Sequence, residues 1–316
     1  MTRHDHLDQA PHRPDATGPL QGTPAGRSPS RGVRPWKPVL LRILGLAAVY
    51  LVAVCTPFGQ RAENGLINHN GGEPAWIYDW SGSAYDSGAM PPLEFTALPT
   101  LVVGTAAIVA VAVLRRCWWA GGAAVGVVLA TFGGTEVLSK MALPRPDLVG
   151  APAMLTEASF PSGHAAVPVA LVLGAALVAS PRVRPYVVAA GMLWLAVTAG
   201  AVQALYHHRP SDVLGATLLG CACHGLATRL LPPSAAAPSA AAPGGTPRPR
   251  ALPAVAFALS AAGALAAGAR EDALAGPLVF AAAAFLCALL VWCTAVRGAA
   301  PARPRPGREP VGSAGS

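Results

Sequence analysis

Eight apolar runs dominate the 316-residue chain, at about 39–58, 96–114, 118–138, 162–180, 186–205, 211–230, 251–268 and 273–295. At about 1.5 Å per helical residue, each is long enough to cross a hydrocarbon core of about 30 Å. This constrains the fold more than any other feature: the chain reads as an all-α polytopic membrane protein. Composition agrees, with 53% hydrophobic and only 12% charged residues, so a domain count based on soluble proteins does not apply. The first run lies too far from the start and is too long for a cleaved signal, and reads as a signal anchor.

A net charge of +8 invites a nucleic-acid reading. The basic residues are instead scattered in short loops and tails, with no helical stripe interleaved with aromatics, which excludes that partner class. Their distribution carries topology. With the N-terminus inside, Arg115, Arg116, Arg182, Arg184, Arg229, Arg248 and Arg250 and the C-terminal arginines also fall inside. The positive-inside rule therefore places both termini in the cytoplasm of a cell membrane. Of the five basic residues left outside, Lys140, Arg145 and Arg209 share two loops with His164, His207, His208 and Asp212. Six cysteines lie in or beside apolar stretches and indicate no disulfide framework, and the Cys221/Cys223 pair reads as packing.

The expected organisation is a disordered cytoplasmic tail at 1–37, a six-span core at 38–230 and a Pro/Ala-rich linker at 231–250. A two-span hairpin at 251–296 and a disordered tail at 297–316 follow. The outer loop near 59–95, with Trp76, Tyr78, Trp80 and Tyr85, reads as an interfacial cap. The hairpin, nearly devoid of polar groups, suits packing or oligomer contact, and the oligomeric state is not legible.

Three segments at the span ends carry chemistry. Lys140 and Arg145 can reach one anionic group, the first as a point charge and the second as a planar fork. In Phe160-Pro161-Ser162-Gly163-His164, the proline marks a helix start whose free N–H groups favour anions. There Ser162 supplies a hydroxyl, Gly163 permits close approach, and His164 faces the same space. In His207-His208-Arg209-Pro210-Ser211-Asp212, a second helix start places Asp212 where it can fix the tautomer of His208 and leave a nucleophilic nitrogen. A metal site on His164, His207 and His208 has no H-x3-H or carboxylate cluster behind it.

Taken in order, K-x4-R, P-S-G-H and H-x3-D, each at a span end, resemble the type 2 phosphatidic acid phosphatase superfamily over about residues 95–230. The resemblance implies a six-helix phosphatase core, to which the two-helix hairpin is appended, and a metal-independent hydrolase with no cofactor. It further implies that His208 attacks phosphorus to form a phosphohistidine, that Asp212 orients it and that His164 protonates the leaving oxygen. Lys140, Arg145, Ser162 and Gly163 would bind the phosphate.

The chain departs from that pattern twice. Counted from Lys140, the usual R-P falls on Asp147-Leu148, so Arg145-Pro146 comes two residues early. The usual Ser-Arg of the third motif falls on Ala201 and Val202, leaving Arg209 as the candidate replacement cation and His207 as a weaker one. The expected partners are the bilayer and a lipid phosphate or pyrophosphate at the outer leaflet. The alternatives are a lipid phosphotransferase, or a catalytically degenerate protein that binds a lipid headgroup.

Overall fold

The computed structural model describes residues 36–67, 97–204, 207–232, 251–268 and 275–297. Outside them lie nearly all of the expected N-terminal tail, the loop aromatics Trp76, Tyr78, Trp80 and Tyr85, most of the linker, the Arg270-Glu271-Asp272 turn and the C-terminal tail from 298. Among the described residues the regular structure is entirely helical. In chain order these are α1 (Lys37–Val49, continued by a π turn at Tyr50–Val54), α2 (Pro57–Asn64), α3 (Ala97–Leu114) and α4 (Trp118–Val137, with a π turn at Leu138–Ala142). Then come α5 (Ala153–Thr156), α6 (Gly163–Val178), α7 (Arg184–Ala204), α8 (Pro210–Leu230), α9 (Leu252–Gly268) and α10 (Ala275–Trp292, with a π turn at Cys293–Arg297).

Among the described residues, five segments are long and apolar enough to cross a membrane: Lys37–Val54, Trp118–Ala142, Arg184–Ala204, Pro210–Leu230 and Leu278–Val296. Pro99–Leu114, Gly163–Val178 and Leu252–Ala266 are apolar but shorter. The protein is thus an all-α polytopic membrane protein. Large apolar side chains such as Leu41, Leu44, Val103, Leu114, Trp118 and Leu129 face outward, where lipid rather than water suits them.

Helix α6 is the innermost. It is apolar on every side, the pattern of a helix surrounded by protein. Its neighbours α3, α4, α7 and α8 leave Ala165, Ala166, Val167, Val169, Ala170 and Leu173 with no exposed surface. The C-terminal helices pack on α7, and α10 also packs on α8. Ala256, Ala264, Ala284, Cys287 and Ala288 join Leu195 and Val213 in one core. Arg42 of α1 donates to the Cys221 carbonyl at 3.1 Å and to Thr294 Oγ1 at 2.9 Å, linking α1, α8 and the end of α10.

The first apolar run does not continue to Phe58. The π turn ends at Val54, Thr56 is extended with its Oγ accepting from the Gly59 N–H at 3.0 Å, and Pro57 opens α2. Hydropathy alone conceals this break because Pro57 and Phe58, directly after it, are apolar. Gly59 is required for it: a Cβ there would lie 2.1 Å from the Val52 carbonyl oxygen and 2.6 Å from Ala53 Cα.

These features converge on one end of the bundle. Tyr50 at the end of α1 donates to the Pro144 carbonyl at 2.7 Å, and the Ser162 N–H before α6 donates to the Asp212 carbonyl in α8 at 2.9 Å. At the opposite end, Arg115 and Arg184 donate to the carbonyls of Val178 and Ala179, where α6 terminates. The basic loops and the histidines therefore sit at opposite ends of the same helices.

Candidate active site

The two helix starts are built differently. For α6 the cap is Ser162, whose Oγ accepts from the Ala165 N–H at 3.2 Å, so Pro161 precedes the cap and is not the first helical residue. For α8 Pro210 does take the first helical position, and Asp212 closes the turn by accepting the Arg209 N–H at 3.0 Å. In the connection between α7 and α8, His207 and His208 hang from one carbonyl, that of Val202, which accepts both N–H groups at 3.0 and 3.1 Å. Val202 occupies the position where the resemblance would put an arginine, and its side chain is completely buried. This position contributes a backbone acceptor and an apolar contact rather than a cation.

This scaffold brings the two histidines together. His164 Nδ1 lies 2.8 Å from His208 Nε2, so one nitrogen donates to the other. On the other side of the ring, His208 Nδ1 lies 3.5 Å from Asp212 Oδ2. The same carboxylate oxygen accepts from Ser159 Oγ at 2.7 Å, and Asp212 is fully buried. With its position fixed by Ser159 and the Arg209 N–H, the carboxylate presents a negative oxygen to the imidazole, which favours a proton on Nδ1 and a lone pair on Nε2.

The expected phosphate ligands are distributed less simply. Arg145 is buried, with Nη2 3.6 Å from Asp212 Oδ1 and 3.8 Å from Glu63 Oε2. These are charge contacts longer than hydrogen bonds. Lys140 is largely exposed and pairs with Glu136 one turn earlier, because the π turn carries it away from the histidines. Arg209 donates to the Leu155 carbonyl at 2.6 Å, to Asn64 Oδ1 at 3.3 Å and to Ser159 Oγ at 3.5 Å. Burial, and then Arg145, hold the Arg209 pKa below the usual guanidinium value. Ser162 is fully buried and serves as a cap, whereas Gly163 borders a cavity. At 147, where the resemblance would put an arginine, exposed Asp147 accepts the N–H groups of Ala151, Val149 and Gly150, which lower its pKa. It shapes the turn at Gly150, whose φ is +67°.

Two cavities meet at the histidine pair. One, of about 320 Å³, is lined by Phe132, Glu136, Ser139, Ser159, Gly163, His164 and His208 among others. The second, of about 350 Å³, is bordered by Ile67, Glu157, Ser159, His164, His207, His208 and Arg209. Ser159, His164 and His208 are common to both, so groups on either side reach the same imidazoles.

Sequence reasoning missed Glu63, Gln60, Ser159 and Glu136. Glu63 of α2 accepts from the Ser211 N–H and from Ser211 Oγ, both at 3.0 Å, and so braces the first turn of α8. Burial, and then the charge of Asp212, push its pKa up to about 7. Gln60 donates to the Pro146 carbonyl at 2.6 Å and accepts from the Leu148 N–H at 3.2 Å, fastening the Arg145 loop to α2. A signal did exist for Ser159, a small polar residue just before Pro161. None existed for Glu63, since its hydrogen-bond partner Ser211 is 148 positions away.

Residues 120–235 match the family model of the PAP2 superfamily. Over this stretch the chain is similar to that superfamily. No curated protein and no solved structure matches the chain. The PAP2 match covers nearly all of α4 and α5 to α8, and with them His164, His208, Asp212, Lys140 and Arg145. It agrees with the resemblance drawn from the motifs and supports a phosphatase-type hydrolase of phosphate esters in general. Helices α1 to α3, α9 and α10 lie outside it, yet α2 supplies Glu63 and Gln60.

Proposed function

We propose that the protein hydrolyses a lipid phosphate or pyrophosphate at the outer leaflet through a phosphohistidine on His208. The observation that carries this reading is the placement of the His208 ring between Asp212 Oδ2 at 3.5 Å and His164 Nδ1 at 2.8 Å, beside the start of α6. Substrate would enter between the two imidazoles. His208 Nε2 attacks phosphorus, the P–O bond to the leaving group breaks, and that oxygen takes the proton from His164. Asp212 stabilises the positive charge on His208, and the N–H groups at the start of α6 face the equatorial oxygens. Water, deprotonated by His164, then attacks phosphorus, forming a P–O bond as the P–N bond breaks and releasing inorganic phosphate and the free imidazole.

Lys140, Arg145 and Arg209 are proposed to complete the phosphate clamp. Lys140 would turn from Glu136, and the buried arginines would act on charge through the first layer of side chains. Nothing in this scheme requires a metal or cofactor. The location at helix ends suits a substrate whose tail stays in the bilayer while its headgroup slides to the site. The arginines at the opposite end of the bundle support cytoplasmic termini and an outward-facing site. A lipid phosphotransferase reading draws on the second cavity, which gives an acceptor alcohol its own approach to His208.

The test is phosphate release by the purified full-length protein from a panel of lipid mono- and diphosphates, compared with His208→Ala. Wild-type release, loss in the variant, and an acid-labile phosphoenzyme trapped on His208 are expected. Equal, negligible release from both proteins refutes hydrolysis.

A further inference from the structure

Glu136 has no part in the proposed chemistry, yet it borders the cavity that holds the histidines. It lies on the face of α4 that carries Phe132, four residues earlier, with Ser139 in the π turn that follows, and all three line the cavity together with His164 and His208. Its two oxygens have different surroundings. Oε2 pairs with Lys140, while Oε1 faces Gly163, where a Cβ would lie 3.5 Å from it. A carboxylate oxygen therefore stands over the first residue of α6, next to the helix start expected to face a phosphate.

A bound phosphate and this carboxylate repel each other, so the phosphate is pushed toward the histidines and Glu136 confronts whatever the phosphate is esterified to. A second phosphate there meets like charge. A hydroxyl or ammonium group there meets a free acceptor, with Ser139 beside it. We propose that Glu136 is a specificity-determining residue, selecting phosphate monoesters that carry an O–H or N–H donor next to the ester and disfavouring diphosphates. This deepens the lipid-phosphatase reading and rests on it for the position of the phosphate.

The experiment uses the full chain in nanodiscs with three substrates of matched chain length: a monoacyl glycerol phosphate with a free 2-hydroxyl, its 2-O-methyl counterpart and a prenyl diphosphate. Wild-type kcat/KM is expected to favour the hydroxyl compound over the methyl ether by about 10- to 100-fold, the range of one hydrogen bond to a charged group. Glu136→Ala should remove that preference, chiefly through KM. Glu136→Gln, which keeps an acceptor and loses the charge, should retain part of it and improve the diphosphate, because Lys140 is released. Substrate ratios unchanged within twofold in both variants overturn the proposal. Should the wild type hydrolyse none of the three, the phosphatase reading fails. Competition binding of the corresponding phosphonates to the same three proteins then decides the role of Glu136 by the same ratios.

Discussion

Replacing Glu63 with glutamine should make the protein more stable at pH 8 than the wild type while leaving the two similar at pH 4.5. Burial, followed by repulsion from Asp212, raises the Glu63 carboxyl from 4.5 to about 7. A displacement of that size is worth about 3 kcal/mol. The folded protein binds this proton more tightly than the unfolded chain. The corresponding stabilisation is therefore complete below 4.5, is lost as pH rises to about 7, and does not change further above that. Glutamine keeps an acceptor for Ser211 and never ionises, so Glu63→Gln escapes the loss. Unfolding of both proteins in the same micelles, followed by denaturant titration at several pH values from 4.5 to 8.5, should show a difference growing by about 3 kcal/mol in favour of the variant. A difference that stays constant with pH would refute the assignment of a buried, titrating carboxyl at this position.

Asp212→Asn should preserve the fold and lower kcat by about 10²- to 10⁴-fold, since an amide does not hold the imidazole tautomer or its charge; single-turnover phosphate release measures it. Arg145→Ala leaves Glu63 and Asp212 facing each other without the guanidinium between them and should cost about 3–5 kcal/mol. Adding Glu63→Gln should restore a large part of that in the same unfolding assay. Gly59→Ala drives a Cβ into the backbone of α1 and should destabilise by about 1–3 kcal/mol or more, read as a lower unfolding midpoint. Among the described residues no group of three His, Cys, Asp or Glu side chains is arranged to hold an ion, and phosphate release should survive a strong chelator unchanged.

What the sequence made legible was local. Proline and serine before Gly163, and Pro210 before Asp212, mark helix starts by backbone rules that need no tertiary information. His208 and Asp212 are four residues apart across such a start, so their proximity follows from helix geometry. The fate of Lys140 and Arg145 was not legible from K-x4-R. A π turn intervenes, and the chain leaves the helix at Leu143, so one side chain turns outward and the other inward. Glu63 was hidden for another reason: its importance comes from packing α2 against loops encoded far away, and no spacing within α2 records that. The break at Thr56-Pro57 was written in cap and proline chemistry, but continuous hydropathy masked it.

The short helix α2 has a practical consequence for anyone moving this chemistry between proteins. The stretch that carries the family signature, 120–235, holds the histidines but not the residues that brace their surroundings. Ser211, Arg145 and the loop at Pro146 and Leu148 all lean on Glu63 and Gln60, upstream of that boundary. A chimera cut at the boundary would transplant a reactive pair without its foundation, while one that also exchanges residues 50–67 would carry the site as a mechanical whole.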